Sequence, residues 1–380
     1  MNNLRSQFPL LSTKTYLDSA AMMQKPQSVI SAIVDFYTNF AINNHSINSD
    51  LGFINQTKIA NIRHKCAKLI EASFDEVIFT SGTTDSINLF AQMFQNFIKP
   101  GDEILVSYLN HSSNLTPWLH WARTKGAKVV YTTNFVSEIN NKTKIIAFSQ
   151  INNSLQINLD LKTIWEKAKQ FNAIVVNDAT QAISVEKVSL KFAHIIAFST
   201  NKFFGPTGLG VLAIQKQLLS MLKPTTFGGG ATSVVNFELD FAKGLQVYEP
   251  GTPNLAGLWG FDAALDFFNQ FDYAKIQDKL KNLSNYAFLK LSEIENIEIY
   301  SQKSDHIILF NIKGFSAQDI SSALGHENIY VRSGNFCVPL ISNVLNEQSF
   351  VRISLAIYNN YQDIDKIVEF LKRKDFFNFV

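Results

Sequence analysis

Residues 195–214 read IIAFSTNKFFGPTGLGVLAI, two apolar runs of strand length on either side of a polar, glycine-rich turn that holds one lysine, Lys202. A lysine on so tight a turn, at the end of a buried strand, is placed to react; the competing reading is a solvated turn lysine. Upstream, the apolar run 173–176 ends in Asn177, Asp178, Ala179, Thr180, Gln181, so a carboxylate leaves a second buried strand close to the lysine turn. The pair suggests an aldehyde cofactor held on the lysine as a Schiff base, with the acid beneath its ring nitrogen.

Outward from this stretch, strand and helix alternate. Apolar strands are expected near 77–80, 103–107, 128–131, 145–148, 173–176, 195–198 and 211–214, mostly separated by helical patterns. That alternation predicts an α/β fold with a mainly parallel sheet covered on both faces. Helices are expected from Pro26 to about Phe40, at 57–71, and at 86–97. After Gly251, Thr252, Pro253 the pattern becomes a long helical region at 255–291, then strands near 297–300, 307–312, 330–332 and 351–354, and a closing helix at 361–373. These predict a smaller α+β C-terminal domain, with a large domain over 20–260 and a small one from 1–19 and 261–380. At 380 residues, a division into two is expected, because single cores rarely grow beyond about 250–300 residues.

The composition, 46% hydrophobic and 17% charged with a net charge of +2, is that of a soluble globular chain. No run of lysine and arginine is long enough to track a phosphate backbone, so no nucleic-acid partner is expected. No stretch reaches about 18 uninterrupted apolar residues, and residues 1–12 lack a hydrophobic core of signal-peptide length. The expectation is a cytoplasmic chain with no membrane partner. Two cysteines, Cys66 and Cys337, allow one disulfide at most, and a chain of this size needs no staple.

Other groups point to chemistry. Ser81, Gly82, Thr83, Thr84 stand between a strand and a helix, where backbone N–H groups and small hydroxyls suit a phosphate, although an ordinary capped helix start reads the same way. Asp178 and Gln181 leave the carboxyl end of a strand, where open α/β sheets bind ligands. Cys337 sits in a polar Arg332, Ser333, Gly334, Asn335, Phe336 loop, unlike a cysteine that is only a small core hydrophobe. Cys66, in a helical His64, Lys65, Cys66, Ala67 pattern, reads as packing.

Several motifs in one order carry a resemblance over nearly the whole length: YLDSAA (16–21), FTSGTTDSIN (79–88), GDEILVS (101–107), HSSNLTPW (111–118), 178–181, STNKFFGPTGLG (199–210), EPGTPN (249–254), RSGNFCVP (332–339) and VRISLAIYN (351–359). The chain resembles class V aminotransferase-type enzymes that use pyridoxal 5'-phosphate (PLP), and the Suf-type cysteine desulfurases in particular. The resemblance implies the PLP-dependent transferase fold type I, with a seven-stranded sheet in the large domain. It implies catalytic roles for Lys202, Cys337 and His111. Lys202 would form the Schiff base, Asp178 would pair with the pyridine nitrogen, Gln181 with the ring oxygen, and His111 would stack on the ring. Thr83, Thr84, Ser199 and Asn201 would lie at the cofactor, and Thr252 would reach the phosphate of a neighbouring subunit, which implies a homodimer. Asn153 and Arg352 would take the carboxylate of L-cysteine, the Arg352 fork in bidentate fashion. Cys337 would attack the substrate sulfur and carry it as a persulfide to a Suf-type acceptor protein, for iron–sulfur assembly or tRNA thiolation. No metal is implied.

The chain departs from the family pattern at four places. Asn201 stands where a histidine usually precedes the lysine; Asn335 and Phe336 replace two histidines before the cysteine; Ser112 replaces the second histidine after the stacking one; and near Asn44, His45, Ser46 an Arg and a second His are absent. Two further readings stay open: a selenocysteine lyase or another PLP-dependent lyase or aminotransferase, and a weakly active scaffold that binds a sulfur-transfer partner.

Overall fold

Seven apolar stretches pair into one sheet: β1 (Val77–Thr80), β2 (Glu103–Ser107), β3 (Lys128–Thr132), β4 (Thr143–Ser149), β5 (Ile174–Asp178), β6 (Ile195–Ser199) and β7 (Gly210–Ile214). In this computed structural model, which describes residues 4–235, 238–241 and 243–373, their spatial order is β1-β7-β6-β5-β4-β2-β3. All neighbours are parallel except that β7 runs antiparallel to both β1 and β6. The seven strands lie where the apolar runs place them.

The reason they read as unbroken apolar runs is that both faces are covered. Successive residues of β7 go to different cores, Val211 and Ala213 to one and Leu212 and Ile214 to the other. Helix Thr83–Phe94 covers the second face with Ile87, Phe90 and Phe94, and helix Leu255–Phe268 covers the first with Leu258, Phe261 and Leu265. Each such fully buried side chain contributes about 1.5–3 kcal/mol.

A second, antiparallel sheet follows, with β8 (Ile297–Ile299), β9 (Ile307–Ile312), β10 (Arg332–Gly334) and β11 (Phe350–Ser354) in the order β8-β9-β11-β10. The N-terminal segment runs beside it: Thr15–Tyr16 forms a separate two-stranded parallel sheet with Ile329–Tyr330, and Asp18 bridges to Ser354 of β11. Residues 18–21 are thereby led from the small sheet to the carboxyl ends of the large one. One apolar cluster is continuous from Phe198 of the large sheet to Ile308 and Val351 of the small one.

Several helix boundaries differ from the sequence pattern. The helix expected at 57–71 spans Asp50–Leu69, because the Ser49 hydroxyl accepts from Gly52 N–H and starts it two turns earlier. The helix expected from 26 to 40 ends as a regular α-helix at Asp35 and continues as a wider π-turn over Phe36–Phe40. The long region at 255–291 is two helices, Leu255–Phe268 and Tyr273–Leu291, the second capped by the Asp272 carboxylate on Ala274 N–H. The helix at 86–97 begins at Thr83, and the strand at 330–332 divides into the end of Ile329–Tyr330 and the start of β10. A hairpin of Thr232–Val235 and Glu238–Phe241 has no counterpart in the sequence reading. Among the described residues, no helix is long and apolar enough to cross a membrane.

Candidate active site

The carboxyl ends of β4, β5 and β6 place Ser149, Asp178 and Ser199 side by side, with Ser149 opposite Asp178 in register. A cavity of about 200 Å³ opens there, at the position where parallel α/β sheets bind ligands. Thr83, Thr84, His111, Asn153, Asp178, Gln181, Ser199, Asn201 and Lys202, all singled out from the sequence, line it.

Lys202 follows β6 on a short 3-10 turn, and its Nζ donates to the carbonyls of Ala20 (2.6 Å) and Ala21. Burial lowers its pKa from the usual lysine range to about 8, with the Arg352 charge acting the same way and Asp18 opposing it. Asp178 is 4% exposed and accepts from Thr180 N–H at 3.0 Å. Burial raises its pKa, while Thr180 and the charges of His111 and Lys202 pull it down. Among the described residues it has no ion-pair partner within contact distance.

His111 caps a short 3-10 turn, its Nδ1 accepting from Ser113 N–H at 3.2 Å and lying 2.9 Å from Ser113 Oγ. A backbone N–H only donates, so Nδ1 carries no proton and the neutral ring holds its proton on Nε2. Burial lowers the His111 pKa, opposed by the Asp178 charge and reinforced by Lys202 and Arg352. Ser113 Oγ in turn meets Thr84 Oγ1 at 2.7 Å.

Hydroxyls gather at the start of helix Thr83–Phe94. Ser199 Oγ accepts from Thr83 N–H (2.7 Å) and lies 2.9 Å from Thr83 Oγ1, which is 2.7 Å from Thr180 Oγ1. The helix start fits this closely against β7 because residue 210 is glycine: a Cβ there would stand 2.5 Å from the Gly82 Cα. Gln181 Nε2 donates to Ala20 O at 2.9 Å, and Asn201 O accepts from Met23 N–H (3.0 Å) and Lys25 Nζ (3.3 Å).

Three sequence-read residues stand outside the cavity lining. Arg352, on β11 and 1% exposed, lies behind Asn153: Nη1 donates to Asn153 O (2.9 Å), Nη2 pairs with Asp18 Oδ1 (2.6 Å), and Nε has no partner. Cys337 is exposed, and its carbonyl accepts from Ser112 N–H (2.8 Å) and Ser112 Oγ (3.0 Å), one residue from His111. Thr252 lies in a separate groove with Ser81, Asp85 and Asn254, so one copy of the chain does not bring it to the cavity. Sequence reasoning overlooked Asp18, Ser113 and Lys25. The Asp18–Arg352 pair joins residues 334 apart and leaves no local signal; Ser113, two residues after His111, could have been read as the partner in a short side-chain turn.

The donor set fits PLP. Asp178 is a buried carboxylate whose charge is left without a direct counter-ion, which a protonated pyridine nitrogen would supply. The Thr83, Thr84 and Ser199 hydroxyls at a helix N-terminus suit its phosphate, and a partly buried lysine with a depressed pKa suits its aldehyde. Fold and site together define a PLP-dependent enzyme of fold type I.

The chain belongs to the class-V aminotransferase family, whose model matches residues 15–367. It is 36% identical to a probable cysteine desulfurase of Ureaplasma parvum serovar 3, over 98% of this chain and 97% of that one. It is 33% identical to a probable cysteine desulfurase of Staphylococcus aureus strain Mu50, over 100% of this chain and 98% of the relative. Among solved structures it is similar to the Escherichia coli cysteine desulfurase CsdA, with 30% identity, a TM-score of 0.89 and 96% of each chain covered. The apo cysteine desulfurase of Thermococcus onnurineus NA1 aligns at 26% identity with a TM-score of 0.92, over 97% of this chain and 96% of that one.

Proposed function

We propose that this chain is a cysteine desulfurase: it converts L-cysteine to L-alanine and holds the sulfur as a persulfide on Cys337. The observation that carries this reading is the Ser112 clamp, which ties the exposed Cys337 loop to the residue beside His111 at the mouth of the cavity. Without that thiol the site would serve any amino-acid chemistry of the family.

PLP bound in the cavity supplies an electron sink for the pair left when a bond at the amino-acid Cα or Cβ breaks. Asp178, buried in the cavity, would pair with the protonated ring nitrogen and keep it charged. The Lys202 amine, brought to about 8 by burial, accepts and returns a proton at Cα near neutral pH. His111, which lines the cavity with its proton on Nε2, would offer a donor to the bound cofactor or substrate. Arg352 takes the substrate carboxylate, its buried Nε being a donor without a partner, and Asn153 lies beside it with Nδ2 donating to Phe336 O. The Cys337 thiolate attacks the cysteine sulfur: an S–S bond forms, the Cβ–S bond breaks with its electrons left on the Cβ side, and protonation there completes alanine. The persulfide then passes to an acceptor protein, for which a Suf-type partner is the reading the resemblance favours.

A homodimer completes the proposal. Thr252 lies away from its own cavity, and Val34, Tyr37 and Phe53 are 59%, 67% and 60% exposed on the helical segments Gln27–Asp35, Phe36–Phe40 and Asp50–Leu69. An apolar face of that kind suits a second copy. The division into a large domain over 20–260 and a small one from 1–19 and 261–380 is likewise proposed, on the separate small sheet. The test is to incubate the PLP-loaded protein with L-cysteine and look for alanine and for one added sulfur on the Cys337 peptide. Absence of both would overturn the reading.

A further inference from the structure

The backbone around the exposed thiol is unusual. Phe336 and Cys337 are successive non-glycine residues with φ of 57° and 59°, in the left-handed region, and Gly334, just before this pair's neighbour Asn335, has φ 112°. Side chains with a Cβ are strained in that conformation, and two in a row persist only where the surroundings hold them.

Three anchors do so. Phe336 O accepts from Asn153 Nδ2 at 2.8 Å, and Cys337 O accepts from Ser112 N–H and Oγ at 2.8 and 3.0 Å. The third anchor is the Phe336 ring, 6% exposed among Leu109, Leu309, Val338, Ile341 and Phe350, with the Arg352 guanidinium carbon 4.6 Å from its centroid. Arg352 reaches back to close the circuit, donating from Nη1 to Asn153 O at 2.9 Å. One aromatic side chain thus touches the cation meant for the substrate carboxylate, while its own carbonyl is held by the amide meant for the same carboxylate.

We propose that Phe336 is a positioning residue for Cys337: its ring, seated on the Arg352 guanidinium, pins the thiol loop in its left-handed form and links thiol presentation to the carboxylate grip. The link rests on the proposed function only for the identity of the attacking thiol. A histidine ring would be polar and would gain charge as pH falls, facing a guanidinium; phenylalanine keeps the stack neutral at every pH. A carboxylate that engages the free Arg352 Nε steadies the guanidinium under the ring, and through the ring the backbone of Cys337.

The experiment compares wild type with Phe336→Ala, Phe336→Leu and Phe336→Tyr in the PLP-loaded protein, by iodoacetamide alkylation of Cys337 read by mass and by steady-state alanine formation. Cys66 is fully buried, with burial pushing its thiol up to about 12, so it stays silent in the folded protein. F336A is expected to alkylate about tenfold faster and to turn over about tenfold slower with a raised KM, the scale of losing a desolvated cation–π contact. A merely structural role would be met by the apolar bulk of Leu as well as by Tyr, so the difference between these two variants separates ring–guanidinium positioning from packing. Tyr is expected to restore both rates. Leu, which keeps apolar bulk if Ala fails to fold, is expected to fall between. Wild-type alkylation and wild-type kcat in both F336A and F336L would overturn the proposal, as would a Tyr variant no better than Leu. If wild type forms no alanine from cysteine, the desulfurase reading fails while the alkylation rates still report on the Phe336 link.

Discussion

The two edges that meet at the cavity are built from opposite materials. The carboxyl edge of the large sheet presents Asp178 and Ser199 from regular parallel strands, buried on both faces and held in register by their neighbours. The edge of the small sheet presents Cys337 from a loop with two non-glycine residues in left-handed backbone, held outside any strand ladder by the Asn153 amide and by the backbone N–H and hydroxyl of Ser112. Groups that tune a cofactor gain from rigidity and low dielectric, whereas a thiol that must meet a substrate sulfur and then an acceptor needs exposure. The difference divides the expected consequences of mutation: changes on the first edge act on cofactor and proton transfer, changes on the second on sulfur.

The largest effect is expected on the rigid edge. Lys202→Ala removes the proton carrier and should lower alanine formation by at least about 10³-fold, measured as single-turnover alanine release. Cys337→Ser, on the other edge, should keep the PLP absorbance and abolish the mass gain of one sulfur. A C337S protein that releases sulfide from cysteine at the wild-type rate would merge the two edges and sink the thiol assignment.

Asp178→Asn separates stability from function. Burial raises the carboxyl pKa above its unfolded value, so its favourable contribution is present below the unfolded pKa and is lost as pH rises through the folded one. The PLP-free D178N protein is therefore expected to equal or exceed wild type in Tm at pH 7, with the gap closing toward pH 4, while PLP retention on dialysis falls. A D178N protein that loses Tm at pH 7 would contradict the buried-charge account.

Arg352→Lys keeps a cation for Asp18 but not the planar fork. It should raise KM for cysteine about 100-fold with a smaller change in kcat, the cost of losing the charge-assisted hydrogen bond that the free Nε offers. The smallest effect is expected for Asn201→His, a few-fold tighter PLP binding from one added hydrogen bond, read by cofactor titration.

The large sheet was legible in the sequence because both of its faces are buried, so 145–148, 173–176, 195–198 and 211–214 read as unbroken apolar runs. Asp178 and Lys202 were legible because each ends such a run. The small sheet was harder: Ile329–Tyr330 and β10 belong to different sheets yet lie two residues apart, and no periodicity marks that switch. The early start of helix Asp50–Leu69 depended on one serine cap. What joins the two edges, Asp18 on Arg352 and Phe336 beneath it, depends on contacts between residues distant in the chain or on a ring's seat in three dimensions, which local spacing does not encode.

The most direct measurement is the mass of the Cys337 peptide after the PLP-loaded protein meets L-cysteine without reductant. One added sulfur on Cys337, with one equivalent of alanine, is the expected result. Alanine without sulfur on Cys337, or an unchanged peptide and no alanine, would contradict the central claim that the exposed loop carries sulfur out of the cavity.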